Sequence, residues 1–200
     1  MFRQITTLTM AVVALLGASV ILGGCSTNPV TGRRELSLIS KSQEIEMGAE
    51  AAPGFEKEFD GRVPNPVLQS YVQAVGGRVA GVSDREMPYE FVLVRSKVPN
   101  AFALPGGRIF ITAGLMSRMT NERQLAAVLG HEVGHVAAKH NVKGLQRQMG
   151  AAVLVQAVGM ILSGTQGQAA QGAAKIVAGM TTMKYGRDDE YQADQLGIKY

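Results

Sequence analysis

The segment His131-Glu-Val-Gly-His135 places two imidazoles and a carboxylate within five residues. On a helix, residues four apart differ by about 40° around the axis and by one turn along it, so both imidazoles can reach one tetrahedral zinc ion. Glu132 is rotated by about 100° from His131, which removes its carboxylate from the ion but keeps it near the position where a water would bind. The spacing therefore predicts zinc ligands at His131 and His135 and a general base at Glu132.

The alternative interpretation of this segment is a pair of core histidines with ordinary hydrogen bonds. The segment uses two of the three histidines in the chain and lies on a predicted amphipathic helix. Burying two imidazoles and a carboxylate together without a cation costs several kcal/mol. The metal site is therefore the favoured interpretation.

A catalytic zinc ion needs a third protein ligand, and His140 is the nearest candidate. On a continuous helix, a residue nine positions beyond His131 points to the opposite face. The metzincin pattern would also need glycine and histidine at the positions that hold Ala138 and Asn141. We therefore expect His140 to be a surface residue or an outer partner of the metal site.

Acidic residues in the segment 187–197 offer the third ligand instead. If Glu190 binds zinc, Asp194 lies one turn later on the same helix face and can accept a hydrogen bond from the outer nitrogen of a zinc-bound histidine. Ala193 and Gly134 are small, which would let the two helices approach closely. A solvated acidic helix start is the alternative for this segment.

The helix that carries the two histidines is predicted to run from Asn121 to Asn141, with Thr120 as its cap. Its buried side is predicted at Leu125, Val128, Leu129, Val133 and Val136. Two earlier helices act as scaffold. The first is capped by Ser40 or Ser42 and is expected to break at Pro53-Gly54, and the second starts at Asn65-Pro66 and ends near Gly81.

Two short strands are predicted at 89–95 and 107–112, and together they form a small sheet. Between them, the apolar segment 100–107 is punctuated by Pro105-Gly106-Gly107 and is predicted to form an exposed sheet edge. Extended peptides pair with such edges through backbone hydrogen bonds. The predicted substrate-binding residues are Asn100, Ala101, Phe102 and Ala103. A core strand with a β-turn is the alternative for this segment.

Together, the predicted helices and strands indicate an α+β fold class that is mainly helical, with a small sheet.

The N-terminus has the features of an export signal, with Arg3 followed by an apolar stretch from Met10 to Leu22. Two glycines then precede Cys25, the only cysteine in the chain, in an arrangement that resembles the bacterial lipobox. This predicts a signal peptide at 1–24, lipidation at Cys25 and a polar tether at 25–40. The remaining residues, 41–200, contain the predicted metal ligands and are expected to form a metallopeptidase domain. An uncleaved membrane anchor is the alternative.

Composition limits the partners of this chain. Its 200 residues are 46% hydrophobic and 18% charged, which is enough for one substantial core. The formal charge of +4 comes from basic residues that form no dense run, and the chain lacks Trp. These features disfavour nucleic-acid binding.

Three motifs, in this order, resemble the HtpX and CAAX prenyl-protease family of gluzincin metallopeptidases. They are Asn-Ala-Phe-Ala-Leu-Pro-Gly-Gly at 100–107, His-Glu-Val-Gly-His-Val-Ala-Ala-Lys-His-Asn at 131–141 and Glu-Tyr-Gln-Ala-Asp at 190–194. Cysteine followed by Asn-Pro-Val-Thr-Gly-Arg-Arg-Glu-Leu at 28–36 looks like the periplasmic lipoprotein branch. The resemblance implies a zincin-like domain with one Zn²⁺ per chain on His131, His135 and Glu190, the base Glu132, and a substrate edge around 100–103. Family members usually continue with further helices beyond the point that corresponds to Tyr200, so we interpret the chain as C-terminally truncated.

The expected function is that of a zinc-dependent endopeptidase acting on misfolded or unassembled envelope proteins. It is expected to face the periplasm of a Gram-negative bacterium, lipid-anchored to a membrane, with the outer membrane favoured. One alternative is a chaperone or assembly factor for outer-membrane proteins with a structural zinc ion. Another is a membrane-surface module with a fortuitous motif, which predicts no bound metal.

Overall fold

The computed structural model of this chain describes residues 25–163 and 165–200. The strands are β1 Cys25–Thr27, β2 Arg34–Leu36, β3 Glu90–Val94, β4 Ala101–Ala103 and β5 Arg108–Thr112. The helices are α1 Lys41–Glu58, α2 Pro66–Ala80, α3 Ala113–Met116, α4 Glu122–Ala137, α5 His140–Met149, α6 Ala151–Leu162, α7 Gln166–Thr181 and α8 Arg187–Lys199. Helices dominate and the sheets are small, which confirms the predicted mainly helical α+β fold. The predicted export signal at 1–24 lies outside the described residues.

Helix α1 shows how packing overrides a local break signal. Ser40 caps it, and the Ser40 hydroxyl accepts a hydrogen bond from the Gln43 amide at 3.3 Å. The predicted break at Pro53-Gly54 is wrong, because the helix continues to Glu58. An internal proline costs about 3 kcal/mol. Here Pro53 faces solvent, while its neighbours Ala52 and Phe55 are buried in the core, and this burial offsets the missing hydrogen bond.

The three-stranded sheet has β5 at its centre, with β3 parallel on one side and β4 antiparallel on the other. Strand β4 is therefore an edge strand within the described residues. The Leu104 amide donates to the Arg108 carbonyl at 2.7 Å. Backbone groups along an antiparallel strand alternate between the partner strand and the opposite side. This alternation directs the N–H and C=O groups of Ala101 and Ala103 away from β5, toward the open edge.

Two hydrophobic clusters lie on the two faces of this sheet. Phe102 and Phe110 pack on the face that meets α1, and the cluster there extends to α5, α6 and α7. Ala103 and Ile109 pack on the opposite face, where α2 and α4 lie. The edge strand thus has one side chain facing the α1 layer and its two alanines facing α4, the helix that bears the two histidines.

Helix α4 is shorter than predicted and has a different cap. Asn121, rather than Thr120, is the N-cap, because its side chain accepts a hydrogen bond from the Gln124 amide at 3.2 Å. The helix ends at Ala137, and Lys139 has the left-handed backbone angles φ 62° and ψ 28° before α5 begins at His140. The predicted continuous helix to residue 141 is therefore wrong, and the chain changes direction between its second and third histidines.

Helices α4 and α8 pack closely because glycines face each other across their interface. A Cβ atom at Gly134 would lie 2.9 Å from the Ala193 carbonyl oxygen, and one at Gly197 would lie 2.8 Å from the His131 nitrogen. These distances leave no room for larger residues without moving a helix backbone. The close approach predicted from Ala193 and Gly134 is confirmed.

Residues 25–36 form an antiparallel hairpin that contacts the domain, whereas the sequence predicts a polar tether here. The buried Asn28 side chain donates to the Ala138 carbonyl at 3.3 Å. Lys143 and Glu35 form an ion pair at 2.7 Å. Burial raises the pKa of Glu35, but hydrogen bonds from Lys143 and Asn28 outweigh it and hold the pKa below its usual value. The hairpin is therefore part of the folded unit around the start of α5.

Across the described residues, no single helix combines the length and hydropathy needed to cross a bilayer. The segments His140–Met149 and Ala152–Leu162 reach that length and hydropathy only when they are taken together. They are bent by 113° relative to each other.

Candidate metal centre

Helices α4 and α8 bring three potential metal ligands together. The ligand atoms of His131, His135 and Glu190 all lie within 4.8 Å of one another. The two Nε2 atoms of the histidines are 3.0 Å apart, and the Glu190 carboxylate oxygens lie 3.4 Å from Nε2 of His131 and 3.9 Å from Nε2 of His135. The third candidate ligand thus comes from a helix more than fifty residues later in the chain.

This donor set fits a zinc ion by both chemistry and spacing. Imidazole nitrogens and carboxylate oxygens are ordinary zinc ligands, and nitrogens bound at about 2.1 Å in a tetrahedron lie roughly 3.4 Å apart. The His135 side chain is only 1% exposed, whereas that of Glu190 is 48% exposed. The cluster is therefore open on the Glu190 side, as a catalytic site that keeps one position for water and substrate must be.

Glu132 lies buried beside this cluster. Burial raises the pKa of its carboxyl to about 8, and the negative charge of Glu190 adds to that effect. A backbone hydrogen bond from Ala103 of the edge strand acts in the opposite direction. A carboxyl group with a pKa near neutrality can accept a proton and return it, as general acid–base catalysis requires.

Asp194 holds His131 from the exposed side of the cluster. Its Oδ1 atom lies 2.8 Å from Nδ1 of His131. A carboxylate only accepts hydrogen bonds, so Nδ1–H of His131 donates, and in the neutral imidazole Nε2 is then the nitrogen without a proton. That nitrogen faces His135 and Glu190. The contact therefore selects the tautomer that can bind a metal.

A different chain of contacts holds His135 from the interior. Nδ1 of His135 lies 3.1 Å from Nδ1 of His140, whose Nε2 lies 2.9 Å from Oε1 of Gln192. The amide oxygen accepts from Nε2–H of His140, which leaves Nδ1 of His140 as an acceptor for Nδ1–H of His135. Nε2 of His135 then carries no proton and can bind a metal ion. Burial, followed by the nearby His131 and His140, lowers the pKa of His135 to about 2, so this imidazole stays neutral.

Tyr185 covers the ring of His135. The two ring centroids are 4.0 Å apart, and the ring planes are inclined by 21°. Burial raises the pKa of Tyr185, and the charges of Glu132, Glu190 and Asp189 raise it further. The phenol therefore remains protonated and contributes an apolar wall together with a hydroxyl group.

Most residues singled out in the sequence lie around this one location. Glu132 and Asp194 flank the three candidate ligands, and 101–103 form the neighbouring edge strand with Asn100 just before it. Of the two positions expected for His140, the structure has the outer partner, because His140 is buried and its Nδ1 lies 3.1 Å from Nδ1 of His135. A continuous helix would direct His140 to the opposite face, whereas the left-handed turn at Lys139 brings it back toward the cluster.

Two residues of this location were missed from the sequence. Gln192 lies between Glu190 and Asp194 on α8, and only its contact with His140 gives it significance. Tyr185 precedes α8 by two residues, and nothing in its spacing from the histidines marks it. Lipidation at Cys25 stays a prediction.

Known proteins resemble this chain over most or all of its length. The model of peptidase family M48 matches residues 64–200. The whole chain is 30% identical to the beta-barrel assembly-enhancing protease of Escherichia coli strain K12, of which it covers 43%. Identity is 29% to the protein of that name from Yersinia pestis, over 86% of the chain and 36% of the relative. It is 32% to the mitochondrial metalloendopeptidase OMA1 of Schizosaccharomyces pombe, over 68% of the chain and 42% of the relative. The chain thus spans less than half of the length of these curated relatives.

Proposed function

Because this chain belongs to peptidase family M48, we propose that it is a zinc-dependent endopeptidase that hydrolyses peptide bonds of misfolded or unassembled envelope proteins. The observation that carries the proposal is the convergence of His131, His135 and Glu190 within 4.8 Å, with the buried carboxyl of Glu132 beside them. The substrate class draws on the E. coli relative, whose name refers to β-barrel assembly.

Each polar group of the site has a distinct task in this proposal. A zinc ion held by His131, His135 and Glu190 would supply the Lewis acid that polarises a peptide carbonyl and lowers the pKa of a water. Glu132 accepts a proton from the attacking water on its carboxylate and then donates it to the nitrogen of the leaving amine. Its burial excludes competing solvent from that proton.

The outer contacts keep both histidines in the tautomer that binds metal. Asp194 accepts from Nδ1 of His131 at 2.8 Å, and His140 accepts from Nδ1 of His135 at 3.1 Å. Such outer partners fix ring orientation as well as proton position, and their loss typically lowers metal affinity 10–100-fold, an order-of-magnitude range. We assign Asp194 and His140 to this positioning task.

The edge strand β4 is the proposed binding site for the substrate backbone. Ala101 and Ala103 direct their N–H and C=O groups to the open edge, where an extended peptide can continue the sheet. Backbone pairing tolerates varied side chains, which suits a protease for unfolded polypeptides. The Ala103 backbone also opposes the rise in the pKa of Glu132, so this edge adjoins the proposed base.

The proposed location is the periplasmic side of a Gram-negative membrane, with the outer membrane favoured and Cys25 as the lipid attachment site. It is supported by the export-signal pattern before the lone cysteine and by the E. coli and Yersinia relatives. Metabolic labelling with palmitate should label the full chain but not Cys25→Ser. Equal labelling of both would remove Cys25 from this role.

The decisive experiment compares the purified domain with its Glu132→Gln variant. The variant should keep one zinc ion per chain, measured by elemental analysis, yet lose cleavage of unfolded porin or casein by at least about 100-fold, because general-base catalysis contributes roughly 10²–10⁴-fold. Removing zinc with a chelator should stop cleavage, and adding zinc back should restore it.

The same experiment tests the non-proteolytic alternative. If the wild-type domain binds zinc and prevents porin aggregation but cuts nothing, and Glu132→Gln behaves identically, the protein is a chaperone with a structural metal. Absence of bound zinc from both proteins would contradict the metal site itself.

A further inference from the structure

A cavity of about 240 Å³ lies between the edge strand and the segment that leads from α7 to α8. Its lining includes residues 100–102 of the edge, Met180 and Met183 from the α7–α8 side, and the aromatic ring of Phe59. Tyr185 also lines it. The sequence predicts a backbone-binding edge at 100–103, with a core strand as the alternative, and gives no indication of a cavity beside it.

The direction of the side chains on β4 links this cavity to a bound peptide. Phe102 is on the sheet face that meets α1, and it lines the cavity. Ala103 is on the face toward α4. A peptide that pairs with the outward groups of Ala101 and Ala103 must also alternate its side chains between these two faces. Every second side chain of the peptide is therefore directed to the cavity side.

Tyr185 connects the cavity to the candidate metal centre. Tyr185 lines the cavity, and its ring stacks on His135 with 4.0 Å between the centroids. Tyr185 is thus a wall residue of the cavity and a contact of a proposed zinc-ligand imidazole. This places a side chain in the cavity close to the peptide bond that would be cleaved.

The lining defines the chemistry that the cavity accepts. Among the described residues that line it, none is charged, and its large side chains are phenylalanines, methionines and one tyrosine. Its volume is below the roughly 300–1,000 Å³ of pockets that hold whole drug-sized ligands, so it suits a single side chain. Methionine side chains are flexible and adapt to apolar groups of different shape.

We infer that this cavity is a specificity subsite for one large apolar side chain, such as Leu, Met or Phe, of a peptide paired with β4. The inference rests on the proposed function because it takes β4 as the substrate edge. It adds a sequence preference to backbone binding, and it selects the kind of side chain that a folded protein hides and an unfolded one exposes.

The test measures peptide binding separately from cleavage. Zinc-loaded Glu132→Gln protein is titrated against fluorescent Ala/Gln/Ser peptides in which a single Leu is moved through every position. Anisotropy should show one register in which replacing Leu by Asp raises Kd at least about 10-fold, because Leu buries apolar surface there and Asp would bury a charge. The same register should accept Met and Phe with affinities within a few-fold of Leu.

A second variant assigns the preference to this cavity. Met183→Glu, added to the Glu132→Gln background, should invert the preference so that Lys binds more tightly than Leu in that register. Val177→Glu is the matched control, because Val177 packs against the same hydrophobic cluster but lines a separate groove. Met183→Ala supplies a milder change, which should enlarge the cavity and favour Phe over Leu. Zinc content and circular dichroism verify the fold of each variant.

The outcomes separate the two proposals. Equal Kd values for Leu and Asp at every position, or an inversion as large in Val177→Glu as in Met183→Glu, overturns the subsite. Selective peptide binding by a wild-type protein that cleaves none of the selected peptides overturns the proposed peptidase function but leaves the subsite standing. Cleavage of peptides without any preference for an apolar side chain overturns the subsite but leaves the proposed peptidase function standing.

Discussion

His131 and His135 lie one turn apart on the same helix, yet opposite kinds of surroundings hold them. The open half of the site consists of His131, Glu190 and Asp194, and the Asp194 side chain is 67% exposed. The buried half consists of His135, His140, Gln192 and Tyr185, and the His135 and His140 side chains are almost completely enclosed. The open half is held by an exposed carboxylate, and the buried half by imidazole and amide contacts, with the Asp189 carboxylate 3.6 Å from Nε2 of His140.

This difference has consequences for energy and for access. An exposed carboxylate is screened, and water can replace it at modest cost. A buried imidazole N–H that loses its acceptor costs about 1–3 kcal/mol, because no water takes over. We therefore infer that the buried half fixes the geometry of the metal site, while the open half leaves room for substrate.

The largest expected effect comes from breaking the interface that the two halves share. In Gly134→Val, the added side chain meets the Ala193 carbonyl and Leu196 and must push α8 away, together with Glu190, Asp194 and Gln192. The free energy of unfolding should fall by about 1–3 kcal/mol, or more if α8 detaches. Stoichiometric zinc binding should be lost.

Gly159→Ala on α6 is the control for that variant, because an added Cβ atom there meets nothing within 4 Å. It should keep its zinc and gain about 0.5–1 kcal/mol of stability from the better helix propensity of alanine. Denaturant unfolding and elemental analysis measure both quantities. Full zinc occupancy in Gly134→Val would contradict the role assigned to this interface.

The second prediction concerns the buried half. His140→Ala should weaken zinc binding toward the upper end of a roughly 10–100-fold range, because Nδ1–H of His135 loses its acceptor in the interior. Gln192→Ala should have a smaller effect, since it removes only the outer of the two hydrogen bonds. Competition against a fluorescent chelator gives both dissociation constants. An unchanged affinity in His140→Ala would show that His135 needs no internal partner.

The third prediction concerns the open half. Asp194→Asn keeps an acceptor oxygen near His131 but removes the charge, so zinc affinity should fall by only about 10-fold. Raising the salt concentration should weaken zinc binding more in the wild type than in this variant, because salt screens an exposed charge. A larger loss of affinity in Asp194→Asn than in His140→Ala would reverse the comparison between the halves.

The smallest expected effect lies at the far end of α8, away from both halves. The Lys199 ammonium bonds both oxygens of Asp84, at 2.6 and 2.7 Å, on the surface. Asp84→Asn should cost about 0.2–1 kcal/mol of unfolding free energy and leave zinc affinity unchanged. The hydrogen bond from Lys199 lowers the pKa of Asp84 below its ordinary value of 3.8, although partial burial opposes it.

That direction sets the pH dependence of the Asp84 contribution. A carboxyl with a lowered folded pKa stabilises the fold at pH values above 3.8 and loses that contribution as the pH falls through the folded value. Wild type and Asp84→Asn should therefore differ in denaturant midpoint at pH 7 and converge in strong acid. A zinc affinity altered by this variant would mean that the surface pair positions the metal ligands.

Local sequence patterns anticipated several elements because their cause is itself local. The Asn65-Pro66 start of α2 is confirmed, since an asparagine cap and a proline in the first turn act within a few residues. The edge position of β4 agrees with the punctuation around residues 100–107. In contrast, Pro53 stops no helix, because the burial that retains α1 involves residues distant in the chain.

The sequence by itself determined which groups on α4 share a face, because the four-residue spacing of two histidines is a property of any helix. It also indicated the acidic segment that faces them. Only the tertiary structure decided which residues hold those histidines in place. His140 reaches His135 because Lys139 has a left-handed backbone conformation, which no local propensity favours. Gln192, Tyr185 and the cavity beside β4 have a role in the site only because α4, α8 and the edge strand pack together. Contacts between segments far apart in the chain depend on packing, and no pattern within one segment records them.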